Sequence, residues 1–232
     1  MLKKSHISSI EIYSPEWHQY RIGRATSSKM FSIMGFEGFG KGGETYLMQK
    51  VGESITGQSN DREFEFDEDL EWGKLYEPEG LKAFAKKMGL NFLVTQKLIT
   101  NPDGQFSSTP DGIIVHGECK IDTTEYNVST VEGKCPRTYH NFIPKFLCKN
   151  PRDLYKLNKA DFWQTIDQMD QCGAAVGYYF VFHPYFPEGR NINIIEFRKM
   201  ELWDEFKLLS ARKKEFIRRF DELRLQMMGL AV

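Results

Sequence analysis

Residues 107–136, SSTPDGIIVHGECKIDTTEYNVSTVEGKCP, constrain the fold of this chain more than any other stretch. Two runs rich in β-branched residues flank a polar segment, a pattern that predicts two strands joined by a turn. Asp111 stands at the start of the first run, and two Glu-x-Lys triplets, at 118–120 and 132–134, follow it. Either triplet can supply a second carboxylate to Asp111, so the stretch predicts a hairpin that builds a site.

Hairpin geometry decides between the two triplets. Residues i and i+2 of a strand face the same side, so Glu132 and Lys134 project together. Directly opposed residues of an antiparallel pair have Cβ atoms about 4.5–5.5 Å apart. A hairpin that pairs Asp111 with Glu132 turns at residues 121–122, in a polar segment. Pairing with Glu118 would instead place the turn among β-branched residues. We therefore predict that Asp111, Glu132 and Lys134 share one site.

This set of residue types suits phosphodiester hydrolysis. Two carboxylates offer the hard oxygen ligands that Mg²⁺ prefers. A metal there can polarise a phosphoryl oxygen and acidify an attacking water. A lysine two residues on can orient that water and offset the charge that develops on the phosphorus centre. The motif P-D-x(n)-E-x-K is short, however, and structural strands contain it by chance, so the motif alone favours a structural role.

Composition narrows the class of protein. The chain has 232 residues, of which 41% are hydrophobic, which predicts one large domain over residues 1–232. Lys plus Arg number 31 and Asp plus Glu 32, so the net charge is −1 and any DNA surface has to be a local groove. No apolar run approaches the roughly 18 residues of a membrane span, and the N-terminus lacks the apolar core of a secretory signal.

The four cysteines and five histidines are scattered without the spacing of a zinc or iron–sulfur site. Lone cysteines in a chain with no export signal are typical of reduced thiols inside a cell. We interpret most of them as structural, and Trp17 and Trp72 as core anchors.

Periodicity and turn residues predict helices, then strands, then further helices. Pro78 suits the first turn of the second helix and Gly89 its C-terminal end. The order favours an antiparallel central sheet between helices, a three-layer mixed fold. Predicted helices cover 43–57, 153–176 and 201–228, with another carried within 68–89. Predicted strands lie within 90–100, 104–119, 126–135, 177–184 and 191–200, and a turn falls at 101–104.

Five segments together resemble a known family: EWHQYRIGRATSSK (16–29), LEWGKLYEPEGLKAF (70–84), STPDG (108–112), VEGKCP (131–136) and DFWQTIDQM (161–169). In this order they resemble the lambda exonuclease and YqaJ family of phage recombination nucleases, a branch of the PD-(D/E)xK superfamily. The resemblance spans roughly residues 14–200. It implies an α/β fold of the α+β type, with a restriction-endonuclease-like core and a central mixed β-sheet flanked by helices.

The resemblance also implies a metal centre. Asp111, Glu132 and the backbone carbonyl of Gly133 would bind Mg²⁺, or Mn²⁺ as an alternative, with two ions in the site. Lys134 would position or activate the attacking water. Gly133 departs from the family pattern, which has an apolar residue in the middle of E-x-K. The resemblance therefore does not decide how the strand is pleated at this residue.

Further matched residues would complete the site. Glu77 would contact it from a helix, and Gln164 would lean on the lysine and the nucleophile. Gln168 is the alternative for that glutamine, but aligning Met169 with the family methionine favours Gln164.

Three more matched residues, Arg21, Ser28 and Thr109, would bind the terminal 5′-phosphate of DNA. Thr109 stands where the family often has serine, which keeps the hydroxyl and adds a methyl group.

The activity implied is metal-dependent 5′-to-3′ digestion of linear double-stranded DNA, which leaves 3′ single strands for an annealing protein in phage-type homologous recombination. The implied protein is a ring-shaped homo-oligomer, a trimer, in the bacterial cytoplasm, with no membrane partner. Two alternatives stay open: a PD-(D/E)xK endonuclease for restriction or repair, and a catalytically inactive DNA-binding relative.

Overall fold

The structure is a computed structural model that describes residues 6–59, 67–91, 93–95, 97–100, 104–116 and 127–229. Its larger sheet has five strands in the order β3-β6-β7-β8-β9, and a smaller sheet has the order β1-β4-β5-β2. The larger sheet comprises β3 (Val94–Thr95), β6 (Gly112–Val115), β7 (Val128–Lys134), β8 (Val176–Phe182) and β9 (Ile192–Arg198). The smaller comprises β1 (His6–Ile7), β2 (Ala25–Thr26), β4 (Ile99–Thr100) and β5 (Phe106–Ser108).

Helices flank these sheets. In chain order they are α1 (Pro15–Arg21), a 3-10 helix (Ser27–Ile33), α2 (Gly40–Thr56), α3 (Glu68–Met88), α4 (Tyr139–Phe146), α5 (Pro151–Leu157), α6 (Lys159–Cys172) and α7 (Trp203–Met227). None of the helices in the described ranges is both long enough and apolar enough to cross a membrane.

The larger sheet is mixed. β6 and β7 pair antiparallel, as do β8 and β9, but β7 and β8 pair parallel. The antiparallel sheet predicted from the element order is therefore wrong at β7 and β8. The chain between them runs through three helices, and such a helical crossover returns the second strand in the direction of the first. The mixed sheet implied by the family resemblance is confirmed.

Each face of the larger sheet has its own apolar core. Val131 and Phe180 pack on one face with Leu81 and Phe84 of α3. Strand neighbours point to the opposite face, where Tyr179 and other residues join the core built with α2, α6 and α7. The result is helix, sheet and helix in three layers, as the sequence predicts.

Helix caps explain why some helices begin and end at residues other than those predicted. The Asp67 side chain accepts from Asp69 N and Leu70 N, so α3 begins well before Pro78, which lies inside the helix and not in its first turn. Gly89 ends α3 with a φ of 66°, as predicted. The single helix predicted over 153–176 is divided at Asn158, which ends α5 and caps α6.

Two further differences concern short elements. Residues 90–100, predicted as one strand, supply β3 and β4 to different sheets. Helix α4 is not predicted by the sequence, because its eight residues include Pro144. Most of the turn predicted at 101–104 lies outside the described residues.

Candidate active site

The β6–β7 register brings Asp111 next to Glu132. Gly112 pairs with Val131, and continuing that register by one residue sets Asp111 opposite Glu132. The backbone N of Gly133 donates to Oδ2 of Asp111 at 2.8 Å, which fixes the carboxylate against β7. This register is the one predicted from the position of the turn. The competing triplet at 118–120 lies outside the described residues.

Lys134 and two glutamines surround Glu132. Lys134 Nζ lies 2.5 Å from Glu132 Oε1 and donates to Gln164 Oε1 at 3.2 Å. Gln168 Nε2 donates to the other oxygen, Glu132 Oε2. The sequence left the two glutamines as alternatives, whereas the structure places both in the site. Gln164 contacts the lysine and Gln168 contacts the carboxylate.

Helix α6 delivers these contacts from one face. Asp161, Gln164 and Gln168 are three and four residues apart, the spacing of one helix face. Asp161 Oδ2 accepts from Tyr179 Oη at 2.9 Å and lies 2.5 Å from Lys145 Nζ. The face therefore carries a row of polar side chains above the carboxyl end of β7. Packing in both cores holds the helix and the strand, so the row is fixed relative to the carboxylates.

Burial and like charge act on the carboxylates together. Glu132 is 1% exposed. Burial raises the pKa of Asp111 well above its usual value, and the nearby charges of Glu132 and Glu77 raise it further. Burial lowers the pKa of Lys134, but Glu132, Asp161 and Asp111 raise it more, so the lysine stays a cation. A concentration of buried negative charge favours a bound cation.

The donor set fits a small divalent cation of the hard class. Asp111 and Glu132 supply carboxylate oxygens from adjacent strands, and each carboxylate has lone pairs beyond those used here. Mg²⁺ needs few protein ligands because it keeps several waters. In the ranges that the structure describes, no group of three or more His, Cys, Asp or Glu side chains is arranged to hold a metal. The fit is therefore to a two-carboxylate site.

The three residues matched to phosphate binding line one small cavity. Arg21, Ser28 and Thr109 share a cavity of about 130 Å³ with Asp111 and Gln164. All nine residues that the sequence and the resemblance singled out for the site line this cavity or the groove of about 1190 Å³ that extends it. Their roles stay predictions, but their proximity is a property of the fold.

Trp17 lines the cavity and contacts two of its other residues. Its ring is 9% exposed, and the Arg21 guanidinium lies 4.1 Å from the ring centroid. Its indole N–H donates to Thr109 Oγ1 at 3.3 Å. The interpretation of Trp17 as a buried anchor agrees with this burial, but the same ring also orders two cavity residues. Stacking on the indole restricts the guanidinium of Arg21 to one plane beside the cavity.

Helix α2 holds the segment between Arg21 and Ser28. Glu53, which is 2% exposed, accepts from Gly23 N at 2.9 Å, and Tyr46 Oη accepts from Thr26 N at 2.9 Å. Gly23 has a φ of 70°, and a Cβ there would lie 3.0 Å from Ser54 Cα. The buried polar anchors and the glycine together set where this wall of the cavity lies.

Some residues at the site were not predicted. Tyr13 lines the cavity with a φ of 63°, and Lys145 lines the groove from α4. Neither carries a local signal, because a lone tyrosine or lysine between helices fits any surface. Tyr13 lies just before α1, and α4 packs against β8 and β9, so only the tertiary structure brings these two residues to the site.

Comparisons with known proteins identify the family and the fold of the chain. The model of the YqaJ-like viral recombinase domain matches residues 16–170. An alkaline exonuclease from Laribacter hongkongensis is similar in structure, with a TM-score of 0.65 and 20% identity over 94% of this chain and 100% of that one. Its complex with dAMP matches at the same TM-score of 0.65 with 19% identity, over the same 94% and 100%.

A phage-related exonuclease from Haemophilus somnus 129PT gives a TM-score of 0.60 and 14% identity over 88% of this chain and 96% of that one. A search of curated protein sequences found no match. The structural likeness shows that the chain shares the fold of these exonucleases, a mixed sheet flanked by helices. The family model covers well over half of the sequence, so the chain belongs to the YqaJ-like viral recombinase family.

Proposed function

We propose that this protein is a metal-dependent exonuclease that digests linear double-stranded DNA from the 5′ end, in phage-type recombination. One observation carries the proposal: the Asp111, Glu132 and Lys134 cluster opens directly onto a cavity of about 130 Å³ lined by Arg21 and Ser28. A hydrolytic centre beside a small anion-sized cavity suits a nuclease that measures from a terminal phosphate. The exonucleases with similar folds support the same activity.

The carboxylates would hold Mg²⁺, with Mn²⁺ as an alternative and two ions per site. The protein ligands would be the carboxylates of Asp111 and Glu132 and the backbone carbonyl of Gly133. When bound, the metal would supply Lewis-acid activation of the scissile phosphate and of water. Gly133 N keeps the Asp111 carboxylate turned toward β7, and Gln168 keeps Glu132 from rotating.

Lys134 would offset the charge that develops at the scissile phosphate. Its pKa is raised by three nearby carboxylates, so it acts as a fixed cation and hydrogen-bond donor. Gln164 Oε1 accepts a hydrogen bond from Lys134 Nζ and so sets the direction of the ammonium. Glu77, which lines the same cavity and groove, would face the reaction from α3.

Arg21, Ser28 and Thr109 would bind the terminal phosphate. A guanidinium presents a planar pair of donors that matches two phosphate oxygens, and the hydroxyls complete the shell. A small cavity beside the carboxylates admits a chain end more readily than the middle of a duplex, which favours an exonuclease over the endonuclease alternative.

Digestion of linear DNA labelled at one 5′ or one 3′ end, with and without Mg²⁺, tests the proposal. We expect early release of the 5′ label, only with Mg²⁺, and no cleavage of covalently closed circles. Cutting of closed circles would identify an endonuclease. Absence of any metal-stimulated digestion would favour an inactive DNA-binding relative.

The proposal includes a homotrimeric ring in the bacterial cytoplasm and a single-strand annealing protein as partner. A chain of net charge −1 offers little general attraction to phosphates, and encirclement of DNA would supply retention. We expect a solution mass that is a small multiple of 27.0 kDa. A monomer that digests long duplexes processively would contradict the ring.

A further inference from the structure

Besides Lys74, which pairs with Glu71 at an exposed position, one further lysine lines the groove without a role in the predicted site: Lys145. It lies on α4, where Asn141 and Lys145 are four residues apart and both line the groove, while Phe142 on the other side is buried. The side chain of Lys145 is 16% exposed, so its ammonium can meet a ligand in the groove without leaving its place.

Asp161 pairs with this ammonium, and Tyr179 in turn holds Asp161. Lys145 Nζ lies 2.5 Å from Asp161 Oδ2, and the same oxygen accepts from Tyr179 Oη at 2.9 Å. Tyr179 is completely buried, and Asp161 is 7% exposed. An ammonium has three donors, and one ion pair with Asp161 engages one of them. The arrangement fixes the position of a cation rather than only neutralising an acid.

Helix α6 sets the order of groups along the groove. From its N-terminal end, Asp161 contacts Lys145, Gln164 contacts Lys134, and Gln168 contacts Glu132 and lines the cavity of Arg21. Seven residues of helix separate Asp161 from Gln168, about 10 Å at 1.5 Å per residue. That length equals the rise of about three nucleotides at 3.4 Å each. Lys145 is thus at one end of this row, Lys134 follows, and Glu132 and the cavity lie at the other end.

We propose that Lys145, positioned by Asp161 and Tyr179, binds a phosphodiester of the digested strand on the 3′ side of the scissile linkage. The inference rests on the proposed function for strand direction: with the 5′-phosphate in the Arg21 cavity, the strand passes the carboxylates and runs toward α4. The ligand is a backbone phosphate, so the contact is independent of base sequence.

The first test is equilibrium binding of the full chain to a 5′-phosphorylated duplex in EDTA, as a function of salt. Lys145→Gln should weaken binding about tenfold at low salt and reduce the slope of log K against log salt by about 1. Lys149→Gln makes the same change of charge on an exposed side chain outside the groove and should leave the slope unchanged. Equal slopes for the two variants would overturn the inference, whether or not the protein digests DNA.

The second test locates the contact. Duplexes that carry one neutral methylphosphonate linkage, moved stepwise from the 5′ end, should show a rate minimum within the first few linkages 3′ of the scissile one. Lys145→Gln should remove that minimum. The substitution already removes the contact, so a neutral linkage at the same place costs nothing more. Lys145→Arg, which keeps the charge, should retain it. A minimum that persists in a folded Lys145→Gln protein would contradict the assignment.

If Lys145→Gln fails to fold because Asp161 loses its cation, the double variant Lys145→Gln/Asp161→Asn removes both charges and takes its place in both tests. If the wild type digests DNA and Lys145→Gln has no effect in either test, this inference is rejected and the proposed function is not. Absence of digestion by the wild type would reject the proposed function.

Discussion

Lys134 Nζ lies 2.5 Å from Glu132 Oε1, two residues back on the same strand, and Glu132 is almost completely buried. The ammonium and the carboxylate neutralise one another in a place where either alone would be costly. Gln164 contacts the lysine and Gln168 the carboxylate, so each member of the pair is also fixed by α6. The strand and the helix therefore act as one unit at this point.

Glu132→Gln should abolish digestion while leaving the protein folded. The amide keeps the shape of the side chain but removes the charge that would bind the metal. Lys134→Ala should have a similar effect on rate, because it removes the only groove cation in contact with Glu132 among the described residues. Release of labelled nucleotides from linear DNA, with circular dichroism to check folding, measures both.

The second triplet provides the control for that experiment. Glu118→Gln and Lys120→Ala should retain most of the activity, because the β6–β7 register sets Asp111 opposite Glu132. An inactive Glu118→Gln protein beside an active Glu132→Gln protein would reverse the assignment.

Arg21→Ala should remove most of the preference for a 5′-phosphate. A charged hydrogen bond contributes about 1.5–3 kcal/mol, roughly ten- to a hundredfold in rate on the phosphorylated duplex. The 5′-hydroxyl duplex should be much less affected. Arg24→Ala is the matched control, since Arg24 stacks on Tyr20 and does not line the cavity. Equal rates on both duplexes in the unchanged protein would mean that Arg21 does not bind the terminal phosphate.

Gln168→Met should lower the rate of digestion more than it lowers substrate affinity. Gln168 is completely buried, and its amide donates to Glu132 Oε2, so an apolar side chain of similar length leaves the carboxylate free to rotate. The loss of a hydrogen bond to a charged group costs about 1.5–3 kcal/mol. Separate measurement of kcat and KM decides the matter, and a rise in KM alone would show that Gln168 contacts substrate instead.

The hairpin between Asp111 and Glu132 was predictable because its register follows from a polar turn and from strand periodicity, both local properties. The helical layers followed from periodicity, but the mixed sheet needed the family resemblance, since the helices between β7 and β8 decide strand direction. The role of Gln168 was not predictable in the same way. Gln164 and Gln168 lie on one helix face, and only the packing of α6 over β7 shows that each has a different partner. Lys145 was missed for the same reason, because α4 has no strong sequence signal.

Lys213→Met should destabilise the fold by about 3 kcal/mol, the cost of breaking a buried ion pair. The lysine, on α7, lies 2.5 Å from Asp167 Oδ1 and 2.7 Å from Asp170 Oδ2, and Asp167 accepts from Ser27 Oγ at 2.6 Å. Urea unfolding measures the change. Lys214→Met, at an exposed position of the same helix, should stay within about 0.5 kcal/mol.

Above neutral pH, the stabilising effect of Lys213 should change only in the alkaline range. Burial lowers the pKa of Lys213, but Asp167 and Asp170 raise it above its usual value. A pKa raised by folding gives stability that is complete below the unfolded value of about 10.4 and is lost as pH rises through the folded value. The difference between wild type and Lys213→Met should therefore be constant near neutrality and shrink above about pH 10.4. A difference that shrinks between pH 6 and 8 would contradict this account.

Gly133→Ala should destabilise the strand that carries the site, and a smaller residue at Phe180 should relieve the effect. Gly133 pairs with Phe180 across β7 and β8, and a Cβ on Gly133 would lie 2.2 Å from Phe180 Cζ. The ring thus occupies the place of the apolar residue that the family pattern has in E-x-K. Overpacking of this kind costs about 1–3 kcal/mol. A shift of β7 that makes room for the methyl group would also move the backbone N–H of residue 133, which donates to Asp111.

A double-mutant cycle with Phe180→Leu measures the relief. Each single change should destabilise the protein, but the double variant should be more stable than the two losses added, and it should regain digestion that Gly133→Ala loses. Gly52→Ala is the control for an added methyl group, because nothing lies within 4 Å of a Cβ there. In the interior of α2 that change should stabilise the helix by about 0.5–1 kcal/mol. Strict additivity at Gly133 and Phe180 would show that the glycine is needed for its backbone and not for the ring that covers it.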